Sequence, residues 1–164
     1  MESFAGKPTS GLEIGAYEGR STCWLFENIL THADSTLQVV DPFEAFDGLA
    51  GDYKPRFLSN TKPYAAKIKL FEGNSRQFFN TSEFEYDFAI IDGSHKSEDV
   101  ANDIRHVWDL LKTGGVMICD DFEWQGQGHV GCTDADKPKI AILEFLDKYH
   151  PEILHRDYQV IVRK

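Results

Sequence analysis

The chain has 164 residues, of which 41% are hydrophobic and 27% charged, and a net charge of −10. One domain, residues 1–164, is the natural reading of that length, and it can bury roughly 70% of its unfolded surface without staples. The acidic balance argues against a nucleic-acid partner and against an anionic membrane surface, and no stretch approaches the ~20 apolar residues of a membrane span. Cys23, Cys119 and Cys132 form no spaced framework and are read as reduced thiols. The start, Met1-Glu2-Ser3-Phe4, lacks the basic and apolar regions of a signal peptide, so a soluble cytoplasmic protein is expected.

Strands and helices alternate. Leu12 to Ile14 reads as a first strand, and Gly19 to Leu30 as a helix that starts at a glycine turn. Leu37 to Asp41 is a second strand, stopped by Pro42. A helix is expected around Tyr53 to Asn60, a third strand at Ile68 to Phe71, and a short helix near Ser75 to Phe79. Tyr86 to Asp92 is a fourth strand. Ser97 to Leu111 is a helix, with Val100, Ile104, Val107 and Leu111 on one face, Ser97 as N-cap and Gly114-Gly115 as its end. Val116 to Asp120 is a fifth strand. Lys139 to Tyr149 is a last helix with Ile142, Phe145, Leu146 and Tyr149 facing inward, and Ile153–His155 with Tyr158–Val162 closes the chain as an antiparallel pair. This alternation implies an α/β fold: a Rossmann-like, doubly wound, mostly parallel sheet with a C-terminal antiparallel strand pair. Two long connections, Pro42 to Lys67 and Phe122 to Pro138, are candidate substrate walls.

In such a sheet the strand C-termini share one edge, where ligands bind. That edge would hold the turn Gly15 to Gly19, the acids Asp41, Asp92, Asp120 and Asp121, and His95. Glycines let the turn approach a ligand while the following helix amides point at it; the other reading is that Gly15 and Gly19 serve helix–strand packing. A dinucleotide fingerprint would need glycine where Tyr17 stands, which disfavours a nicotinamide oxidoreductase. Asp41 is placed for ribose hydroxyls, or else is a strand-end residue before Pro42. Asp92, Asp120 and Asp121 would give hard oxygen ligands to an octahedral divalent cation. Phe122 and Trp124 could line an aromatic or sugar pocket, Glu44 and Phe46 are open in the same way, and His129 could contact substrate.

Glu13-Ile14-Gly15-Ala16-Tyr17-Glu18-Gly19-Arg20-Ser21-Thr22 resembles the first motif of class I S-adenosylmethionine-dependent methyltransferases, particularly the catechol-type and related metal-dependent O-methyltransferases. Matches follow in order: Val40-Asp41, Glu72-Gly73-Asn74-Ser75, Asp92-Gly93-Ser94-His95, and Gly114-Gly115 before Asp120-Asp121. The resemblance covers nearly the whole chain from Leu12. It implies that Glu13, Gly15, Tyr17 and Ser21 surround the methionine part of S-adenosylmethionine, with Ser21 bonded to its carboxylate, and that Gly19 belongs to the same cofactor site. It also implies that Asp41 takes the ribose, that Asn74 and Ser75 border the adenine, and that Asp92 belongs to the same cofactor site.

The same resemblance implies that Asp92, Asp120 and Asp121 hold Mg²⁺, with Mn²⁺ or Ca²⁺ as alternatives. The cation would lower the pKa of an acceptor hydroxyl. His95 stands where the catechol-type enzymes carry a lysine that accepts the substrate proton, so His95 and Asp92 are the catalytic candidates. The expected activity is metal-assisted O-methylation of a small hydroxylated acceptor. A metal-free N- or carboxyl-methyltransferase and a non-catalytic S-adenosylmethionine-binding module are the alternatives. Only about ten residues precede Leu12, fewer than these enzymes place there, so the long loops or a second copy in a homodimer could form the lid, or the site stays open.

Overall fold

A computed structural model describes residues 2–44, 51–81, 84–126, 133 and 137–164. The chain forms two compact units, residues 1–81 and 82–164. His129, Cys132 and Phe46 lie outside the described residues.

The first unit holds three parallel strands in the order β3-β2-β1: β1 (Ser10–Ile14), β2 (Thr36–Asp41) and β3 (Ile68–Glu72). The register pairs Ile14 with Val40 and Asp41 with Glu72, which brings the ends of all three strands to one edge. Leu12, Leu37 and Val39 are fully buried, as expected of strands covered on both faces. α1 (Arg20–Asn28) buries Thr22, Leu25 and Phe26, three and four residues apart on one face. α2 (Tyr53–Asn60) buries Tyr53 and Phe57. The short α3 (Ser75–Phe79) is closed by a reciprocal capping box between Asn74 and Gln77.

The second unit carries the order β4-β5-β7-β6, from β4 (Tyr86–Ile91), β5 (Leu111–Cys119), β6 (Glu152–Arg156) and β7 (Val160–Arg163). β4 and β5 run parallel, and β7 is antiparallel to both β5 and β6. α4 (Ser97–Leu110) buries Val100, Ile104 and Val107 as its periodicity predicts, and α5 (Pro138–Tyr149) buries Ile142 and Phe145. The two helices meet through Trp108 and Phe145, whose rings lie edge-on 5.0 Å apart. β6 is exposed along its whole length. The α/β architecture expected from the alternation is thus present: parallel strands linked through helices, with a closing antiparallel pair.

Two details differ from expectation. Lys96, not Ser97, occupies the N-cap of α4 and makes no side-chain cap bond; the local hydroxyl bond is instead from the Lys96 amide to Ser94 Oγ at 3.2 Å. Gly114 and Gly115 do not end that helix. α4 passes into β5 at Leu111, and both glycines lie inside the strand. The register moves from Tyr86–Leu111 to Phe88–Val116, so extra residues of β5 bulge opposite Asp87. Gly114 has φ +80°, and a Cβ on Gly115 would stand 2.8 Å from the Lys112 carbonyl. The glycines allow the bulge.

Cys23 and Cys119 are free thiols. No helix among the described residues is long and apolar enough to cross a membrane.

Candidate active site

In the first unit the site is built around the turn after β1. Gly15, Tyr17 and Gly19 all have positive φ, at 84°, 49° and 84°. Left-handed backbone is cheap for glycine and costs a tyrosine roughly 1–2 kcal/mol, so something must hold Tyr17 there. Asp41 does so. Its Oδ2 accepts from the Ala16 amide at 2.7 Å and the Tyr17 amide at 2.9 Å, and its Oδ1 accepts from the Phe43 amide at 2.6 Å. Successive amides in such a turn form an anion nest, and here the anion is the protein's own carboxylate. Asp41 is buried. Asp41, the expected ribose ligand, thus braces the turn through Oδ2 and holds the chain after β2 through Oδ1. Asp41→Ala should lower the unfolding free energy by about 2 kcal/mol, because charge-assisted bonds are lost and buried amides are left unpaired. A denaturant midpoint equal to that of the wild type would remove this bracing role.

Beneath the turn, Glu13 is fully buried. Ser21 Oγ donates to its Oε1 and Thr22 Oγ1 to its Oε2, each at 2.5 Å. Burial pushes the Glu13 carboxyl up to about 7, against the pull of the two hydroxyls. Glu13 is sealed from solvent and ties β1 to the first turn of α1, and the Ser21 hydroxyl gives its proton to Glu13.

α2 clamps the outer side of the turn. Tyr53 packs on the exposed Tyr17 ring with centroids 4.8 Å apart, Arg56 pairs with Glu18 at 2.5 Å, and Asn60 donates to the Glu18 carbonyl at 2.9 Å. None of these partners was singled out from the sequence, although all three lie on one face of a helix placed correctly there. Beyond β2 and β3 opens a cleft of about 400 Å³ lined by Pro42, Glu44, Glu72, Gly73, Asn74 and Gln77. That volume falls in the range of small-molecule sites. Asn74, an expected cofactor residue, lines the cleft while its side chain caps α3; Ser75 begins that helix.

In the second unit, Asp92 is exposed just beyond β4, and Asp120 and Asp121 are half-buried beyond β5. His95 Nε2 lies 2.9 Å from Asp121 Oδ2, and its ring stacks on Trp124 with centroids 4.6 Å apart. Tyr158 Oη donates to Asp121 Oδ1 at 3.0 Å, and Gln159 Nε2 donates to Asp120 Oδ2 at 2.8 Å. The Asp121 amide donates to Asp120 Oδ1 at 2.8 Å. Burial tends to raise the Asp121 carboxyl, but the His95 contact and the Tyr158 hydroxyl hold it below the ordinary range.

Among the described residues no three His, Cys, Asp or Glu side chains are gathered as a cation site. Asp120 and Asp121, the acids expected as cation ligands with Asp92, each have both oxygens met by a hydrogen-bond donor. Phe122 is buried, with the Lys139 ammonium and the Arg156 guanidinium over its ring at 4.7 and 5.0 Å. Tyr158 and Gln159 were missed as site residues; the signal was a polar pair directly before the apolar β7.

Residues 12–122 match the sequence profile described as a methyltransferase domain. The chain belongs to the methyltransferase domain family. This bears out the motif resemblance to class I methyltransferases, and the chain is an S-adenosylmethionine-dependent enzyme of that class. No curated protein matches this methyltransferase in a sequence search. Solved structures share its fold. A Clostridium thermocellum protein, provisionally named an rRNA methylase, has a TM-score of 0.73 at 12% identity, over 99% of this chain and 92% of its own. The O-methyltransferase of Bacillus cereus, in complex with SAH, has a TM-score of 0.68 at 18% identity, over 95% and 74%. The O-methyltransferase TomG of Streptomyces achromogenes, involved in tomaymycin synthesis and in complex with SAM, has a TM-score of 0.68 at 15% identity, over 95% and 73%.

Proposed function

We propose that this methyltransferase carries the methyl group of S-adenosylmethionine to a hydroxyl oxygen of a small molecule. The observation that carries the reading is the Gly15–Gly19 turn, held in left-handed backbone by Asp41 and fastened from below by Glu13, in a chain of the methyltransferase family. The polar cleft at the ends of β2 and β3 supports it, since Glu44, Glu72, Asn74 and Gln77 offer partners for the ring nitrogens and hydroxyls of an adenosine. O-methylation is supported by the names of several fold relatives and by the imidazole–carboxylate pair, which suits removal of a hydroxyl proton. The sulfonium supplies the reactive methyl, and the chain supplies alignment and proton transfer. The net charge of −10 stands against RNA as acceptor, despite the name of one relative. An N- or carboxyl-acceptor remains the alternative.

The test is calorimetric titration of S-adenosylmethionine and S-adenosylhomocysteine in the presence of chelator. Micromolar affinity for both is expected. Absence of heat for both would overturn the reading.

A further inference from the structure

We propose that Glu44, rather than the strand-end acid Asp41, is the carboxylate that reads the vicinal diol of the bound nucleoside, while the NH₂ groups of Asn74 and Gln77 read its base. The inference rests on the methyl-transfer reading above and names the residues that select the ligand of that same site.

The path of the chain after β2 decides which acid meets the cleft. Asp41 pairs in register with Glu72, and the Gly73 amide donates to the Asp41 carbonyl at 3.1 Å, so the ends of β2 and β3 are tied together. Asp41 is buried, and its carboxylate takes three amides of the chain before and after it. The cleft is lined instead by Pro42 and Glu44, on the chain that follows. Between them stands Phe43, in left-handed backbone with φ +52°, a conformation that bulky side chains rarely adopt. Two contacts hold it there. Its amide donates to Asp41 Oδ1 at 2.6 Å, and its ring packs on the buried Phe57 with centroids 5.3 Å apart. Strained backbone persists only where its surroundings enforce it, and such sites cluster at ligand clamps. Here the strained residue separates a buried acid from an exposed one that lines the cleft. Asp41 thus acts on the ligand through the turn it holds.

The polarity of the cleft follows from the capping box of α3. Asn74 Oδ1 accepts from the Gln77 amide at 2.9 Å, and Gln77 Oε1 accepts from the Asn74 amide at 3.1 Å. With both oxygens used, the NH₂ groups are the parts of these side chains that can meet a ligand, and an NH₂ group only donates. The ring nitrogens of a purine accept. Gly73 keeps the wall beside them low, since a Cβ there would stand 2.8 Å from Phe71 Cε1 and 2.9 Å from Gln77 Oε1. Of the two glutamates that line the cleft, Glu72 is paired with Lys54, and Glu44 is the exposed one. An ionised carboxylate only accepts, and its two oxygens suit two adjacent hydroxyls. Donors at the start of α3 and an acceptor on the chain after β2 therefore match a nucleoside with an intact diol. They oppose a phosphate on that ribose, whose charge Glu44 would repel.

Calorimetric titration of the full chain with S-adenosylhomocysteine and with its 2′,3′-dideoxy analogue tests the assignment. The wild type should bind S-adenosylhomocysteine roughly 10–10²-fold more tightly than the analogue, the scale of one or two charge-assisted bonds. Glu44→Ala should weaken S-adenosylhomocysteine by that factor and leave the analogue within about two-fold, as expected of an exposed residue that touches only the diol. Glu44→Gln keeps one acceptor oxygen and should retain part of the discrimination. A wild type indifferent to the hydroxyls would overturn the inference, as would a Glu44→Ala variant that still discriminates. So would discrimination lost in Asp41→Asn but kept in Glu44→Ala. Failure of both compounds to bind even the wild type would instead overturn the methyl-transfer reading.

Discussion

Gly19→Val should cost the fold about 4 kcal/mol and move its urea midpoint far below that of the wild type. Gly19 has φ +84°, and a Cβ there would stand 2.8 Å from Thr61 Cγ2 and 3.0 Å from Phe57 Cδ2. Thr61 and Phe57 are themselves buried and cannot move aside freely. A left-handed β-branched residue costs roughly 1–2 kcal/mol and overpacking a further 1–3, together about 4 kcal/mol. That is a large share of the roughly 5–15 kcal/mol that stabilises a typical domain. Gly6 provides the control, since it has φ +75° but nothing within 4 Å of the position a Cβ would take. Gly6→Ala reports the backbone cost alone, and Gly19→Ala the same cost plus the steric one. Urea unfolding should place Gly19→Ala about 1–2 kcal/mol below Gly6→Ala. Equal midpoints would mean that α2 yields to a methyl group, and that the turn is not pinned from that side.

The second large effect concerns Glu13 and pH. Burial raises its carboxyl from 4.5 to about 7 in the folded protein. The native state therefore binds a proton across that window that the unfolded chain has released. The sign follows: stability from this group is fully present below pH 4.5 and is lost as pH rises through about 7. At ~1.4 kcal/mol per pH unit, the shift corresponds to on the order of 3 kcal/mol. Glu13→Gln is uncharged at every pH and keeps one acceptor oxygen for the Ser21–Thr22 pair. The difference between wild type and Glu13→Gln in urea unfolding should therefore drift by that amount between pH 5 and pH 8, with the variant gaining relative to the wild type. A constant difference across this range would refute a buried, proton-binding Glu13.

Much of this architecture can be read from residues alone, because strands covered on both faces and amphipathic helices leave periodic signals. α2 and α3 fall where Tyr53–Asn60 and Ser75–Phe79 predicted them. The glycine turn was visible as well, from Gly15 and Gly19. What could not be read is which donor satisfies which acid. Asp41 looks the same in sequence whether it meets a ribose or the amides of Ala16 and Tyr17, and only the turn's three-dimensional path brings those amides to it. Asp121 and Tyr158 are 37 residues apart and meet through the register of β5 with β7, which no local pattern encodes. The same holds for Asp120 and Asp121: spacing shows where carboxylates stand, but not that an amide and a phenol arrive to meet them. Gly114-Gly115 misled because a helix end and a strand bulge call for the same residue.

β6 has a consequence for how this chain survives its own synthesis. Every residue of Glu152–Arg156 is exposed, at one end of its unit's strand order, with Ile153 and Leu154 among them. A bare edge of that kind invites a neighbouring chain to add a strand. Here the apolar pair is flanked by Glu152, which pairs with Arg163 at 2.9 Å, and by Arg156, whose guanidinium lies over Phe122. These charges act as gatekeepers against aggregation while the hairpin forms. Neutralising them would not touch the chemistry, yet it would lower the yield of soluble protein.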